Sequence, residues 1–166
     1  MTLYATITDS PLGELTLLSD GTNLTGLYLP VHKGGPPDTS AWHWDAGPFA
    51  TAVHQLEQYF AGELTTFDLP LAASGTPFQR QVWDALASIP YGATASYRDI
   101  ATAIGSPRAV RAVGLANGRN PIPIVVPCHR VVGANGALTG YGGGLPAKQL
   151  LLDLESRVAG LLAPAL

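Results

Sequence analysis

The sequence predicts an α+β protein with two lobes, and three observations carry this prediction. Short alternating segments separated by turn signals fill residues 3–29, the pattern of a small antiparallel sheet. Residues 69–76 contain proline and glycine and can link two lobes. Beyond them, apolar residues recur at helical spacing. We therefore predict an N-terminal lobe, residues 1–70, with a small antiparallel sheet plus a helix, and a mostly helical C-terminal lobe, residues 76–166, with a winged helix-turn-helix.

Composition restricts the class of protein. Hydrophobic residues make up 46% of the 166 positions and charged residues 13%, which is typical of a compact globular protein. One cysteine excludes an internal disulfide and a multi-cysteine zinc site. The first residues lack a basic segment followed by an apolar one, and no apolar run approaches the ~20 residues of a membrane span. We expect a protein of the reducing cytoplasm with no membrane partner.

The charge distribution is more informative than the net charge. A net charge of −3 argues against an extended, non-specific nucleic-acid binder, which is usually basic. One central stretch, however, carries several arginines and a single acid, Asp99. These arginines are Arg98, Arg108, Arg111, Arg119 and Arg130. A local basic face can therefore coexist with an acidic remainder.

The N-terminal lobe shows no evident chemistry. Strands are predicted at residues 3–8, 14–19 and 24–29, and an amphipathic helix at residues 48–61, ended by Gly62. The Gly- and Pro-rich residues 30–48 are predicted to form a loop. His32, His43 and His54 lie in or just after this loop, but their spacing matches no metal-ligand pattern, so we expect surface histidines.

The C-terminal lobe begins with three helices. Thr76-Pro77 is an N-cap followed by a proline, ahead of an apolar stripe through Trp83. Ser96 and Asp99 form a capping-box pattern at the start of the next helix, which Gly105 ends. Ser106-Pro107 is predicted to start the following helix, which runs to about residue 117. Helix, tight turn and helix is the helix-turn-helix pattern, and an ordinary αα-hairpin is the alternative.

The last of these helices favours nucleic acid as a partner. Arg108 and Arg111 are predicted to share one face, interleaved with the small residues Ala109, Ala112 and Gly114. Small residues would let the helix lie close against a groove.

The single cysteine follows an apolar, β-branched run, residues 124–126, and precedes His129. Pro127 suits the first turn of a short helix beginning beside Cys128. A thiol at a helix N-terminus, next to a potential imidazolium, would be stabilised as a thiolate and act as a nucleophile. The alternative is a small hydrophobic core residue, the usual state of a free cysteine.

The remaining residues suggest a site around this thiol. Residues 131–138 are predicted to form a hairpin with an Asn135-Gly136 turn, which would resemble a wing. Residues 141–144 form a glycine-rich loop suited to close backbone approach. A final helix is predicted at residues 146–154, with Glu155 at or just past its end. On spacing alone, Glu155 would be a solvated carboxylate.

Taken together, these segments resemble the O6-alkylguanine-DNA alkyltransferase (methylated-DNA–protein-cysteine methyltransferase) family. The active-site signature is Val126-Pro127-Cys128-His129-Arg130-Val131-Val132. Further blocks in family order are Tyr97-Arg98, residues 108–114, Asn120-Pro121-Ile122-Pro123-Ile124, Gly136, residues 141–144 and residues 151–155. The resemblance covers residues 76–156 strongly and the N-terminal lobe only in its general layout. It implies transfer of an alkyl group from O6 of guanine in DNA, and possibly O4 of thymine, to the protein itself.

The resemblance also implies roles for the residues of the site. Cys128 would accept the alkyl group irreversibly, His129 would act as a base through a water, and Glu155 would orient His129. Asn120 would brace the turn before the active-site strand. Tyr97 would donate a hydrogen bond to the guanine, and the base pocket would be lined by Val131, Tyr141, Gly142 and Gly143. Arg111 would fill the gap left by a flipped nucleotide. The other implied DNA contacts are Tyr97, Gln79, Arg98, Ser106, Ala112, Gly114 and Ala134.

The implied partner is double-stranded DNA containing O6-alkylguanine, with no cofactor and no metal. Some family members hold a structural zinc partly through cysteines, and this chain lacks the residues for that site. We expect a monomer in solution and leave cooperative binding along DNA open. The alternatives are a non-catalytic protein that binds alkylated DNA, a winged-helix DNA-binding regulator, and a cysteine hydrolase that uses the same three residues.

Overall fold

The structure is a computed structural model that describes residues 2–31 and 38–162. Its N-terminal half contains a four-stranded sheet in the order β3-β2-β1-β4. The strands are β1 (Leu3–Thr8), β2 (Leu15–Ser19), β3 (Leu24–Tyr28) and β4 (Trp42–Trp44). β1 and β2 pair antiparallel with Thr6 opposite Leu17, and β2 and β3 also pair antiparallel. The three predicted strands are thus confirmed.

The fourth strand corrects the prediction of an unbroken loop over residues 30–48. β4 pairs parallel to β1, with Tyr4 opposite His43, so the sheet is mixed and not purely antiparallel. Three residues among glycines and prolines are too few to show an alternating pattern, and the edge of β1 supplies the pairing that defines the strand. His43 packs edge-on against Tyr4, and His54 is exposed on α1. His32 lies outside the described residues.

Five α-helices follow or flank this sheet in the described chain. They are α1 (Ala50–Phe60, preceded by a 3-10 turn at Gly47–Phe49), α2 (Pro77–Ala87), α3 (Tyr97–Ala103), α4 (Val110–Gly118) and α5 (Leu145–Leu162). Both capping boxes are present: Thr76 with Gln79 begins α2, and Ser96 with Asp99 begins α3. These short local signals therefore define the starts of two helices.

Two helix boundaries differ from the prediction. α4 begins at Val110, because residues 106–109 form a turn in which Ala109 N–H donates to the Ser106 carbonyl at 2.9 Å. Arg108 thus precedes α4, so Arg108 and Arg111 do not share one face of this helix as the sequence predicts. α5 runs to Leu162 and not to residue 154, so Glu155 lies inside the helix.

The predicted wing hairpin is only partly formed. The Asn135-Gly136 turn is present, since Gly133 N–H donates to the Ala137 carbonyl at 2.9 Å. However, β6 (Val131–Val132) pairs parallel with β5 (Ala95–Ser96), and the described residues after the turn contain no returning strand. β6 therefore joins the active-site segment to the start of α3.

One buried apolar cluster extends through both halves of the chain. It contains Leu15 and Leu17 of the sheet, Leu56 of α1, and Val82 and Leu151 of the helical half. The division into residues 1–70 and 76–166 therefore stays a prediction. Residues 70–72 attach to the sheet, since the Pro70 carbonyl accepts from Leu24 N–H at 2.8 Å. Within the described residues, no helix combines the length and apolarity that a bilayer span requires.

Candidate active site

The backbone around Pro127 presents the thiol. Pro127 has φ −82° and ψ 63°, the centre of an inverse γ-turn, and Cys128 N–H donates to the Val126 carbonyl at 2.8 Å. The turn leads into a three-residue 3-10 helix, Cys128–Arg130. A short helix does begin at Cys128, as the sequence predicts, although Pro127 precedes it and does not occupy its first turn.

Asn120 holds the approach to this turn. Its amide nitrogen donates to the Val126 carbonyl at 2.9 Å, and its amide oxygen accepts from Ile122 N–H at 3.0 Å. Between these bonds Ile124 is buried and has φ 75°, a left-handed conformation that a β-branched residue adopts only when its surroundings enforce it. The contacts of Asn120 agree with the bracing role that the sequence resemblance implies.

The thiol itself is buried and protonated. Only 4% of Cys128 is exposed. Burial raises the pKa of the Cys128 thiol to about 11, although hydrogen bonding to Asn120 and the charge of Lys148 act in the opposite direction. The expected thiolate beside an imidazolium is therefore wrong for the free protein, because loss of hydration disfavours the charged forms of both Cys128 and His129.

His129 connects the thiol segment to Glu155. The His129 Nε2 and Glu155 Oε2 atoms are 2.8 Å apart, and both residues are buried. Burial lowers the pKa of His129 below its usual range, although the hydrogen bond to Glu155 opposes this effect. His129 is thus neutral, and Nε2 carries the proton that it donates to the carboxylate. Nδ1 is the basic nitrogen, and it forms no hydrogen bond with the described protein atoms.

The Glu155 carboxylate is a buried anion and not a solvated helix end. Arg130 clamps it with Nε on Oε1 at 2.7 Å and Nη2 on Oε2 at 3.0 Å. Burial alone would raise the pKa of Glu155, but hydrogen bonds from His129 and Arg130 lower it to about 2. The third guanidinium nitrogen of Arg130 donates to the Ile89 carbonyl at 2.8 Å, so the cation is also satisfied.

Three residues of this site were not predicted from the sequence. Tyr59 of α1 donates to Glu155 Oε2 at 2.6 Å, and Tyr91 lies under the Arg130 guanidinium with 5.5 Å from Cζ to the ring centroid. Lys148 is fully buried, and its Nζ donates to the carbonyls of Val131 at 2.6 Å and Thr139 at 3.1 Å.

Weak signals for these residues exist in the sequence. Lys148 falls on the inward side of α5 with Leu151, and Tyr59 falls on the apolar face of α1 with Leu56. Neither pattern separates a buried polar contact from ordinary packing.

The base-pocket residues form a second group near the thiol. Val131 is fully buried in β6, and burial raises the pKa of Tyr141, with the neighbouring Cys128 adding to the effect. The Tyr97 hydroxyl is 2.6 Å from Thr139 Oγ1.

Gly142 and Gly143 are half-buried in the loop before α5. A Cβ on Gly143 would come within 2.5 Å of the Leu29 side chain, so a larger residue here would force Leu29 of the N-terminal half to shift.

The predicted DNA contacts lie on α2, α3, the turn before α4, α4 itself and the turn after β6. Arg98, Arg111, Ala112 and Ala134 are exposed, while Gln79, Ser106 and Gly114 are half-buried. A Cβ added at Gly114 would lie 3.8 Å from the Tyr97 ring, so α4 packs against the start of α3 here. Gln79 already uses its amide oxygen in the capping box of α2. The exposed Leu115, 67% accessible, also lies on α4 and was not predicted.

Comparison with known proteins gives a consistent result. The model of the 6-O-methylguanine DNA methyltransferase DNA-binding domain matches residues 77–157, and that of the ribonuclease-like domain matches residues 3–73. A methylated-DNA–protein-cysteine methyltransferase of Mycobacterium tuberculosis is 57% identical over 152 residues, which is 92% of this chain and 91% of the relative. The constitutive enzyme of the same name from Bacillus subtilis is 49% identical, over 92% of this chain and 94% of the relative.

A crystal structure of M. tuberculosis OGT in complex with DNA is 54% identical and superposes with a TM-score of 0.89. The match covers 93% of this chain and 94% of that structure.

Proposed function

Because the chain belongs to the 6-O-methylguanine DNA methyltransferase family, we propose that it repairs DNA by moving the alkyl group of O6-alkylguanine onto its own Cys128. The observation that carries this proposal is the buried array in which Glu155 Oε2 lies 2.8 Å from Nε2 of His129, the residue next to the thiol. The reaction is single-turnover, since the thioether product has no leaving group for a further step.

Proton removal from the thiol is assigned to His129. Glu155 accepts a hydrogen bond from the Nε2–H group of His129, so Nδ1 is free to accept a proton. A bridging water would connect Nδ1 to the Cys128 thiol. The Cys128 sulfur then forms a bond to the alkyl carbon while the bond from that carbon to O6 breaks. The electron pair of the broken bond goes to the guanine, which takes up one proton. The net change converts thiol and O6-alkylguanine into thioether and guanine.

The leaving guanine needs proton donors at the moment the bond breaks. Tyr97 and the Tyr141 hydroxyl are the candidates, and Val131, Gly142 and Gly143 would complete the pocket. The Tyr97 hydroxyl already lies 2.6 Å from Thr139 Oγ1. If Thr139 donates in that bond, the Tyr97 proton is available for the base. Lys148 supports the same pocket through the carbonyls of Val131 and Thr139.

Delivery of the base is assigned to α4. A guanine inside the duplex stack cannot reach a thiol that is only 4% exposed, so it must flip out, at a cost of a few kcal/mol. Arg111 would fill the space that it leaves, and Arg98, Ser106, Ala112, Gly114, Ala134 and Gln79 would contact the surrounding DNA. Arg111 is exposed on α4, as this role requires. We further propose a monomer that works in the cytoplasm alongside the DNA.

The test of this function is a mass measurement. The protein is incubated with a duplex containing O6-methylguanine, and intact and peptide masses are recorded. We expect one added methyl group per protein, located on Cys128 and absent in Cys128→Ser. An unmodified protein would favour a non-catalytic DNA-binding role, and repeated turnover would favour a hydrolase; either result contradicts the proposal.

The role of Arg111 has its own test. Arg111→Ala should slow repair of duplex DNA strongly and leave the reaction with free O6-benzylguanine almost unchanged. Arg157→Ala, which removes an exposed arginine from α5, is the control for the loss of charge. If Arg111→Ala lowers the rate by the same factor with duplex DNA and with free O6-benzylguanine, the vacancy-filling role is contradicted.

A further inference from the structure

A tyrosine from the N-terminal half reaches the carboxylate that orients His129. Tyr59 is fully buried on α1, and its hydroxyl lies 2.6 Å from Glu155 Oε2. The same oxygen accepts from His129 Nε2 at 2.8 Å. One carboxylate oxygen therefore joins the N-terminal helix to the histidine beside the thiol.

The Tyr59 ring is fixed by its aromatic neighbours. Phe60 packs edge-on with 5.2 Å between ring centroids, Phe67 lies at 5.2 Å, and Tyr91 packs edge-on at 6.3 Å. Contacts of this kind restrict both side-chain torsions. The position of the hydroxyl is thus set by the packing of the ring and not by the hydrogen bond alone.

The direction of the hydrogen bond is also defined. Burial raises the pKa of Tyr59 far above its usual range, and the charge of Glu155 adds to this effect. Glu155 is ionised because its pKa is lowered to about 2. Tyr59 therefore donates and Glu155 accepts.

We propose that Tyr59 is a positioning residue for alkyl transfer, which holds Glu155 Oε2 at the point where this atom orients His129. The inference rests on the proposed function. Arg130 clamps the carboxylate from the segment that also carries His129, whereas Tyr59 does so from α1. Donors from two separate elements fix the carboxylate in position, so the N-terminal half contributes directly to the site.

Several charged or ionisable groups face this carboxylate and its histidine. They are Tyr59 from α1, Tyr91 from the turn after α2, Cys128 and Arg130 on either side of His129, Tyr141 from the loop before α5, and Lys148 from α5. Tyr59→Phe leaves the others in place and removes one hydroxyl. The loss should leave more of the Glu155 charge to His129 and raise the pKa of His129.

The structure supplies a matched control in Tyr91. Its hydroxyl is buried near Glu155, but it forms no hydrogen bond with the described protein atoms. Tyr91→Phe therefore removes a similar group from the same neighbourhood without taking a donor from the carboxylate. The ring that faces Arg130 is kept.

The experiment measures single-turnover methyl transfer from an O6-methylguanine duplex as a function of pH. For Tyr59→Phe we expect a maximal rate lower by roughly tenfold, the effect of one hydrogen bond to a charged group. We also expect the acid side of the profile to move to higher pH. Tyr91→Phe, which removes no hydrogen bond from Glu155, should lower the rate and shift the profile less than Tyr59→Phe does. If Tyr59→Phe has an unshifted profile, or one equal to that of Tyr91→Phe, the inference is overturned.

A second measurement separates positioning from general destabilisation. In a His129→Gln background the additional Tyr59→Phe change should leave the residual rate unchanged, because its effect passes through His129. A tenfold further loss would contradict the inference. Failure of the wild type to form a methyl adduct on Cys128 would instead overturn the proposed function, so the two failures are distinguishable.

Discussion

The two ring nitrogens of His129 differ in their hydrogen bonding. On one side, Glu155 accepts hydrogen bonds from Tyr59, His129 and Arg130, all within 3.0 Å. On the other side, His129 Nδ1 is buried and forms no hydrogen bond with the described protein atoms. Buried polar atoms are normally paired, so unpaired ones next to a reactive group mark a place for substrate or solvent.

The charges follow the same division. Glu155 and Arg130 form a buried ion pair, with the pKa of the carboxylate lowered to about 2. Beside the thiol, burial lowers the pKa of His129 and raises that of Cys128 to about 11, so both groups are neutral. In the proposed reaction the charged side would orient the base, and the neutral side would change protonation.

Removal of the base should have the largest effect. His129→Gln keeps an amide donor for Glu155 but no basic nitrogen, and the rate of methyl transfer should fall by about 10²–10⁴. In the wild type the same rate should fall as the pH drops through the lowered pKa of His129, because the protonated ring cannot accept a proton. Single-turnover rates across pH check both statements. A His129→Gln rate within a factor of a few of the wild type would show that the thiol ionises without this base.

Loss of the Glu155 charge should mainly lower the stability of the fold. Glu155→Gln leaves Arg130 as an unpaired buried cation, and we expect the free energy of unfolding to fall by about 3–5 kcal/mol. Denaturant unfolding measures this free energy. The double variant Glu155→Gln/Arg130→Met is the control, because removing both charges should restore part of the lost stability. A double variant less stable than Glu155→Gln would contradict the ion-pair account.

The same carboxylate predicts a window of acid sensitivity. The folded pKa of Glu155 is about 2, below the usual glutamate value of 4.5. Its contribution to stability is therefore present above the unfolded pKa and is lost as the pH falls between these two values. Glu155→Gln should not show this loss.

The smallest effect is expected at the edge of the base pocket. Thr139→Val removes the hydroxyl that lies 2.6 Å from the Tyr97 oxygen, and the transfer rate should fall by roughly two- to tenfold, the range for one neutral hydrogen bond. Thr139→Ser retains the hydroxyl and serves as the control. In a Tyr97→Phe background Thr139→Val should have no further effect. An undiminished effect there would mean that Thr139 acts through loop packing and not through Tyr97.

The sequence predicts the residues around the Cys128 thiol better than those around the Glu155 carboxylate. Cys128, His129 and Asn120 lie within nine residues of one another, and short-range signals such as the proline before the cysteine define their local geometry. Glu155 was predicted only from the family resemblance, because spacing alone favours a solvated residue. Tyr59 lies far from Glu155 along the chain, and no local pattern connects them. Such partners are determined by tertiary packing.

The same distinction applies to the fold. The N-cap and proline at Thr76-Pro77 and the capping-box pattern at Ser96 predicted the starts of α2 and α3, because each signal is complete within four residues. The strand Trp42–Trp44 and the pairing of Val131–Val132 with Ala95–Ser96 were missed, since each depends on a distant partner strand. The protonation of Cys128 was also wrong in the sequence-based prediction, because it depends on burial and not on the neighbouring residue types.

The most direct measurement is the titration of Cys128 in the free protein. Because the chain contains one cysteine, the difference in thiolate ultraviolet absorbance between the wild type and Cys128→Ser reports this residue alone. We predict no thiolate signal around neutral pH and ionisation only as the pH approaches about 11. A thiolate that is fully formed near neutral pH would contradict the claim that Cys128 and His129 are both neutral in the free protein.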